Sequence, residues 1–212
     1  MATLLVIKAH PASDVISTSL TMGDRFIESY KESNPQDDVL VHDLYAEGNI
    51  AIDSSNLNVW KKLTDGTKYD ELTPDEHILI SRQQLLQEEF IKADKYVFIN
   101  PMYNLFLPSK LKDYLDIVCQ ATKTWDYQKG GFLKDKIALH IQSSSGKYHS
   151  SDNPDMLKLD MGDHYLRMIL RQIGVTDVQG IYCEGLNGQN PQADLQAKQA
   201  AYRQSEELGQ QF

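Results

Sequence analysis

The run Thr3 to Ala9 (TLLVIKA) is almost continuously apolar and hardly alternates. A strand with one wet face alternates, so a run of this kind marks a strand covered on both faces, as in a parallel sheet. Val39 to Leu44 (VLVHDL), Lys95 to Asn100 (KYVFIN) and Lys136 to Gln142 (KIALHIQ) share that character, and Val178 to Glu184 (VQGIYCE) resembles them less closely. Between them apolar residues recur at spacings of three and four, the helical period. Leu20, Ile27 and Tyr30 mark one helix, and Leu111, Tyr114, Leu115 and Val118 a second. Leu166, Ile169, Leu170 and Ile173 mark another, stopped by Gly174. Pro74 to Ala93 and the Ala-rich stretch Ala193 to Leu208 read as further helices.

Strand and helix thus alternate through five repeats, which predicts an α/β fold, a doubly wound parallel sheet with helices on both faces. Five strands favour the three-layer, flavodoxin-like order 2-1-3-4-5, and a sixth strand for the dinucleotide fold is lacking. At 212 residues the chain suits a single domain, 1–212. Ala46 to Thr73 is a long excursion holding Trp60 and a possible short helix, a length that compact domains commonly use for a lid or an interface.

Charge narrows the partners. A formal charge of -9 and a pI near 5.1 oppose phosphate backbones and anionic membranes, so neither nucleic acid nor a membrane is expected. The amino-terminal apolar run lacks a basic n-region and is broken by Lys8 and His10, which points to the cytoplasm rather than to a signal peptide or a span. Cys119 and Cys183 show no paired metal spacing and suit buried thiols in a reducing compartment. No metal site is expected.

In an open α/β sheet, ligands gather at the carboxyl ends of the strands beside the switch point. Three loops lie there. The first, His10 to Ser19, offers the free amides of a helix start and the hydroxyls of Ser17, Thr18 and Ser19, a seat for a phosphate; alternatively Ser17 only caps the helix. Neither a G-x-G-x-x-G nor a Walker lysine pattern is present. The second, Asn100-Pro101-Met102-Tyr103-Asn104-Leu105-Phe106-Leu107-Pro108, places an aromatic, a thioether and an amide together, which suits the face and polar rim of a flat heteroaromatic ring. A hydrophobic loop packed on its own helix is the other reading. The third, Ser143-Ser144-Ser145-Gly146-Lys147-Tyr148-His149, allows close backbone approach at Gly146, or is simply a flexible turn.

The segments KAHP (Lys8 to Pro11), NPMYNLFLPSKLKDYLD (Asn100 to Asp116), ALHIQSSSG (Ala138 to Gly146) and IGVTDVQGIYCEG (Ile173 to Gly185) resemble the FMN-dependent NADH azoreductase and NAD(P)H:quinone oxidoreductase family. The resemblance implies a flavodoxin-like homodimer with one FMN per subunit. His10, Ser17 and Ser19 would lie by its phosphate, Met102 to Leu105 along the ring, and Ser143 to Gly146 at the pyrimidine side. It also implies ping-pong turnover, with NADH or NADPH as donor and quinones or azo compounds as acceptors. Trp125 and Tyr127 fall where the family lines its substrate cavity across the dimer, and they could equally pack at the interface. Amides of the third loop would stabilise negative charge on the ring, with Tyr148 or His149 assisting, unless these two are a solvated loop pair. His42, His77, His140 and His164 lie inside predicted elements and are assigned no chemistry. One departure is plain: Ser144-Ser145-Gly146 stands where the family often has Arg-Gly-Gly or Asn-Gly-Gly. That turn motivates a scaffold that has lost its cofactor as one rival. A flavodoxin-type electron carrier is the other, although the excursion and the Trp125 region look built to enclose a flavin rather than expose it.

Overall fold

The computed structural model describes residues 1–11, 17–48 and 51–212. In chain order its elements are β1 (Thr3–Lys8), α1 (Thr18–Ser33), β2 (Asp38–Asp43), α2 (Ser54–Thr64), a 3-10 turn (Tyr69–Glu71), α3 (Pro74–Lys92), β3 (Lys95–Pro101), α4 (Ser109–Val118), β4 (Trp125–Asp126), β5 (Gly130–Gly131), β6 (Ile137–Ser143), α5 (Pro154–Leu157), α6 (Met161–Ile173), β7 (Asp177–Cys183) and α7 (Pro191–Gln211). The five long strands form one parallel sheet in the order β2-β1-β3-β6-β7, the expected 2-1-3-4-5 arrangement.

Strand pleat sorts the core into two layers. Leu5 and Ile7 of β1, with Tyr96 and Phe98 of β3, pack against Phe90 of α3, Leu111 and Leu115 of α4, and Leu166 and Leu170 of α6. Leu4 and Val6, with Val97 and Ile99, turn the other way onto Met22, Phe26 and Tyr30 of α1 and Ala201 of α7. Both faces of the central strands β1, β3 and β6 are therefore dry, which is why those strands read as unbroken apolar runs. Fully burying side chains of this size contributes about 1.5–3 kcal/mol each.

Local signals set the helix ends. Ser17, Thr73 and Asn190 accept backbone N–H bonds as N-caps of α1, α3 and α7. Gly174 closes α6 in the left-handed conformation at φ 108°, which costs an L side chain about 1 kcal/mol or more and glycine nothing.

Two features depart from simple alternation. The excursion contains α2, which includes Trp60, and it packs on α3 through Val59, Leu72 and Ile80 as a small core of its own; Trp60 Nε1 donates to Gln83 at 3.1 Å. Within one chain, α2 is thus buttressed by α3. The second feature is the β4–β5 hairpin, whose two-residue strands are too short to leave a sequence period.

Candidate functional site

Register brings the second and third loops together. Pro101, the last residue of β3, pairs with Ser143, the last of β6, and Met102 N–H donates to Ser143 O at 2.8 Å. Beyond that bond Tyr103 and Phe106 exchange two backbone bonds of 2.9 Å, with Asn104 at φ 49° and Leu105 at φ 66° between them. Positive φ at both central residues is the geometry of a type I′ turn. Asparagine tolerates it, but a leucine there is strained by about 1 kcal/mol or more. The turn is also outward-facing, with Tyr103 and Leu105 exposed by 42% and 38%, whereas Pro101 is buried and Met102 half-buried. Backbone strain and solvent-facing apolar side chains at a strand end are features that binding sites commonly share.

The third loop is turned inward. Ser144 N–H donates to Cys183 O, and Ser144 Oγ donates to Gly146 O at 3.0 Å. Gly185 N–H donates to Gly146 O and Leu186 N–H to Ser144 O. Ser144 is consequently buried while Ser145 is exposed, so contacts from this turn come from its backbone and from Ser145. Tyr148 folds back over Gly146, its hydroxyl 2.7 Å from where a Cβ would stand.

Of the first loop, residues 12–16 lie outside the described residues. His10 is half-buried, and burial holds its imidazole below the ordinary value against the opposing pull of Asp43. Ser17 caps α1 through Leu20 N–H at 3.5 Å. Ser19 is fully buried, its hydroxyl 3.2 Å from that of Ser17, while Thr18 is half-buried. Capping and a phosphate seat are compatible, because one cap satisfies one of several free amides at a helix start.

Trp125 and Tyr127 stand apart from these loops. Their hairpin is pinned to the end of α6, where Leu133 N–H donates to Ile173 O at 2.8 Å, at the amino-terminal edge of the sheet. Trp125 packs on the core, Tyr127 is 87% exposed, and the rings meet edge to face at 4.6 Å.

Beneath the second and third loops lies a buried polar network that sequence reasoning missed. His140, fully buried, is bonded to Asp163 Oδ1 at 2.8 Å and to Asn100 Oδ1 at 3.0 Å. Gln142 donates to Asp160 at 2.6 Å. Asp163 further accepts from Arg167 at 2.7 Å and from the Tyr182 hydroxyl at 2.8 Å. Burial would raise the Asp163 carboxyl, but His140, His149 and Arg167 outweigh that and hold it far below the usual carboxylate range. The available signal was weak: single polar residues, Asn100 in β3 and His140 and Gln142 in β6, set within otherwise apolar strands. Gly162, in the first turn of α6, then ties the network to the exposed turn: its N–H donates to Leu105 O at 3.1 Å, and a Cβ there would stand 2.9 Å from Leu107 N.

His149 is not a solvated loop residue. Its ring stacks on Tyr182 and faces Glu184, Asp160 and Asp163. Burial pushes the Cys119 thiol up to about 12 and the Cys183 thiol to about 11, so neither serves as a nucleophile at neutral pH. Among the described residues no helix is long and apolar enough to cross a membrane.

A family model described as the flavodoxin-like fold matches residues 2–205. FMN-dependent NADH:quinone oxidoreductase 2 of Lactiplantibacillus plantarum is 40% identical over 215 residues, covering 100% of both chains. FMN-dependent NADH:quinone oxidoreductase 2 of Bacillus subtilis is 39% identical over 215 residues with the same coverage. The crystal structure of an FMN-dependent NADH-azoreductase from Bacillus anthracis in complex with FMN has a TM-score of 0.88 at 30% identity, covering 99% of this chain and 98% of that one. Matched from end to end in both sequence and fold, the chain belongs to the flavodoxin-like family of FMN-dependent NADH:quinone oxidoreductases and azoreductases.

Proposed function

We propose that this protein, as a single domain, is an FMN-dependent NAD(P)H oxidoreductase that reduces quinones by two electrons and reductively cleaves aromatic azo compounds. The observation that carries the reading is the strained, outward Tyr103–Phe106 turn joined to the end of β6, a platform for a flat ring at the switch point of the sheet. Bound FMN would supply the hydride chemistry, with NADH or NADPH as donor; the chain binds and positions. Full-length relatives named as oxidoreductases favour this over a single-electron carrier.

The described residues fit such a cofactor. The start of α1 offers amides and the Thr18 hydroxyl to a phosphate, with His10 nearby on the chain and Ser17 and Ser19 holding the helix start in shape. Pro101 and Met102 set the turn on the sheet, and Tyr103, Asn104 and Leu105 present a face and an amide to the ring. Ser143 and Ser144 spend their backbone groups on shaping the third loop, which leaves the N–H groups of Ser145 and Gly146 to face the polar rim, with Tyr148 beside Gly146. In this reading the Arg-Gly-Gly or Asn-Gly-Gly common in the family is dispensable, because backbone bonds already shape the turn.

A homodimer completes the site. Trp125 and Tyr127 would come from the other copy to line the acceptor pocket, which accounts for an exposed tyrosine packed on a tryptophan at the wrong edge of the sheet. Two inert thiols suit the cytoplasm. The test is spectrophotometric: the purified protein should be yellow, or gain flavin absorbance with FMN, and should oxidise NADH or NADPH when given a benzoquinone. A colourless protein that takes up no FMN overturns the reading, and a yellow one inert towards both nucleotides leaves the carrier.

A further inference from the structure

His149 stands just beyond the inward turn, yet only 19% of its side chain is exposed. The ring lies flat on Tyr182, with centroids 3.5 Å apart and planes 7° apart. Carboxylates reach it from two elements. Glu184, just past β7, is 3.1 Å from Nδ1, and at the head of α6 Asp160 and Asp163 are 3.7 Å from Nδ1 and Nε2. Glu184 also accepts the backbone N–H groups of His149 and Ser150, both at 2.9 Å, and the Ser150 hydroxyl at 2.7 Å. Nε2 is buried with no hydrogen-bond partner, so its contact with Asp163 is one of charge. Among the described residues no cluster of His, Cys, Asp and Glu could hold a metal ion, and His149 is what gathers these carboxylates.

We propose that His149 is a positioning residue, an imidazolium that clamps the 144–150 segment onto Glu184 and the head of α6 and so holds the Ser144–Gly146 backbone against the flavin edge. The proposal rests on the FMN reading above. Stacked on Tyr182 and surrounded by carboxylates, the ring acts through the segment it holds. Burial alone would favour the neutral imidazole, but Asp163, Glu184 and Asp160 outweigh it and raise its pKa to about 9.

The charged and titratable groups around it are few. Asp160 caps α6 and Asp163 and Arg167 lie within it, Tyr182 and Glu184 come from β7 and its end, and His140 of β6 meets the same Asp163. Lys147 of its own segment lies against Gly185. Loss of the His149 proton leaves Asp160, Asp163 and Glu184 around a neutral ring, with Arg167 bonded to Asp163 alone among them. Their repulsion then loosens the clamp. Because Gly162 of α6 also holds Leu105 O, the disturbance reaches both turns.

The test pairs an NMR titration of the His149 imidazole in the cofactor-free protein with FMN affinity by fluorescence quenching, between about pH 6 and pH 10. Wild type, His149→Gln and Glu184→Gln are compared, with circular dichroism to confirm folding. The expected midpoint is near 9 in wild type and lower in Glu184→Gln. The wild-type dissociation constant should stay flat below that midpoint and rise by up to about tenfold per pH unit above it. His149→Gln should bind FMN about tenfold more weakly at neutral pH and lack the rise, apart from any that belongs to the flavin itself. A wild-type midpoint at or below the ordinary 6.5 overturns the proposal, as does a His149→Gln protein with wild-type affinity and pH profile. If His149→Gln does not fold, the break in the Glu184→Gln profile decides: moved to lower pH it supports the clamp, unmoved it refutes it. Should wild type take up no FMN, the cofactor reading fails, while the imidazole midpoint still tells whether the clamp exists.

Discussion

The two turns that end β3 and β6 are neighbours in the sheet and opposites in construction. The Tyr103–Phe106 turn points outward, with two non-glycine residues at positive φ and the side chains of Tyr103, Asn104 and Leu105 in solvent while Phe106 anchors it on the core. The Ser144–Gly146 turn points inward, and the segment that follows it is fastened by Glu184 and by His149 to a network of buried charge. One spends stability to present side chains; the other uses the stability of the network to present backbone. The pair suggests how a flavin site can keep its shape when the residues at the second turn change: side-chain identity matters where the chain is exposed, and geometry matters where it is fastened.

The largest effect should come from breaking the network. Asp163→Ala removes the acceptor shared by His140, Arg167 and Tyr182, and leaving such buried partners unpaired costs about 3–5 kcal/mol. Urea denaturation should show that loss. A change under about 1 kcal/mol would mean the network does not fasten the inward turn.

Solution pH should separate the two turns next. Burial would raise Glu184, but its bonds from His149 and Ser150 win and hold its carboxyl near about 2. With its folded pKa depressed, its contribution is present above the ordinary 4.5 and is lost as pH falls from there towards 2. His149 has the opposite sign: its contribution is complete below 6.5 and is lost as pH climbs through about 9. Stability should therefore peak between these limits and fall by on the order of 2 kcal/mol on either side, and Glu184→Gln should flatten the acid limb. An acid limb unchanged in that variant would remove Glu184 from the account.

At the exposed turn the same scale of change should be felt by ligand and not by fold. Asn104→Ala should weaken FMN retention by about 1–3 kcal/mol through loss of a polar partner. Asn104→Gly, which accepts positive φ freely, should bind as weakly while keeping the turn. Equilibrium dialysis of both variants checks this, and unchanged affinity would argue against the contact. The smallest effect on the isolated fold should be that of Tyr127→Ala, within about 0.5 kcal/mol for an exposed side chain, although quinone turnover should slow if a second copy brings Tyr127 to the acceptor. Thermal melting and steady-state kinetics on one preparation separate the two effects.

Much of this was legible in the sequence. The five long strands, their order and the Gly174 stop follow from period and from glycine chemistry, because burial on both faces writes itself into TLLVIKA and its counterparts. The outward turn was legible as Met-Tyr-Asn between two prolines. The inward network was not, because its members are scattered singly: Asn100, His140 and Gln142 in apolar strands, Asp160 and Asp163 at a helix cap, Glu184 after a strand. Only the fold brings them within hydrogen-bond reach. The packing of the excursion was not legible for a related reason, since Trp60 on a short amphipathic helix reads the same in sequence whether or not that helix also packs on α3.

The most direct measurement is a residue-resolved NMR titration of the cofactor-free protein with FMN. The largest amide shifts should fall on Ser17 and Thr18, on Tyr103 to Phe106 and on Ser144 to Gly146, with smaller ones at His149 and Gly162, which hold those turns. Shifts confined to other parts of the chain, or none at saturating FMN, would contradict the assignment of the three strand-end loops as the flavin site.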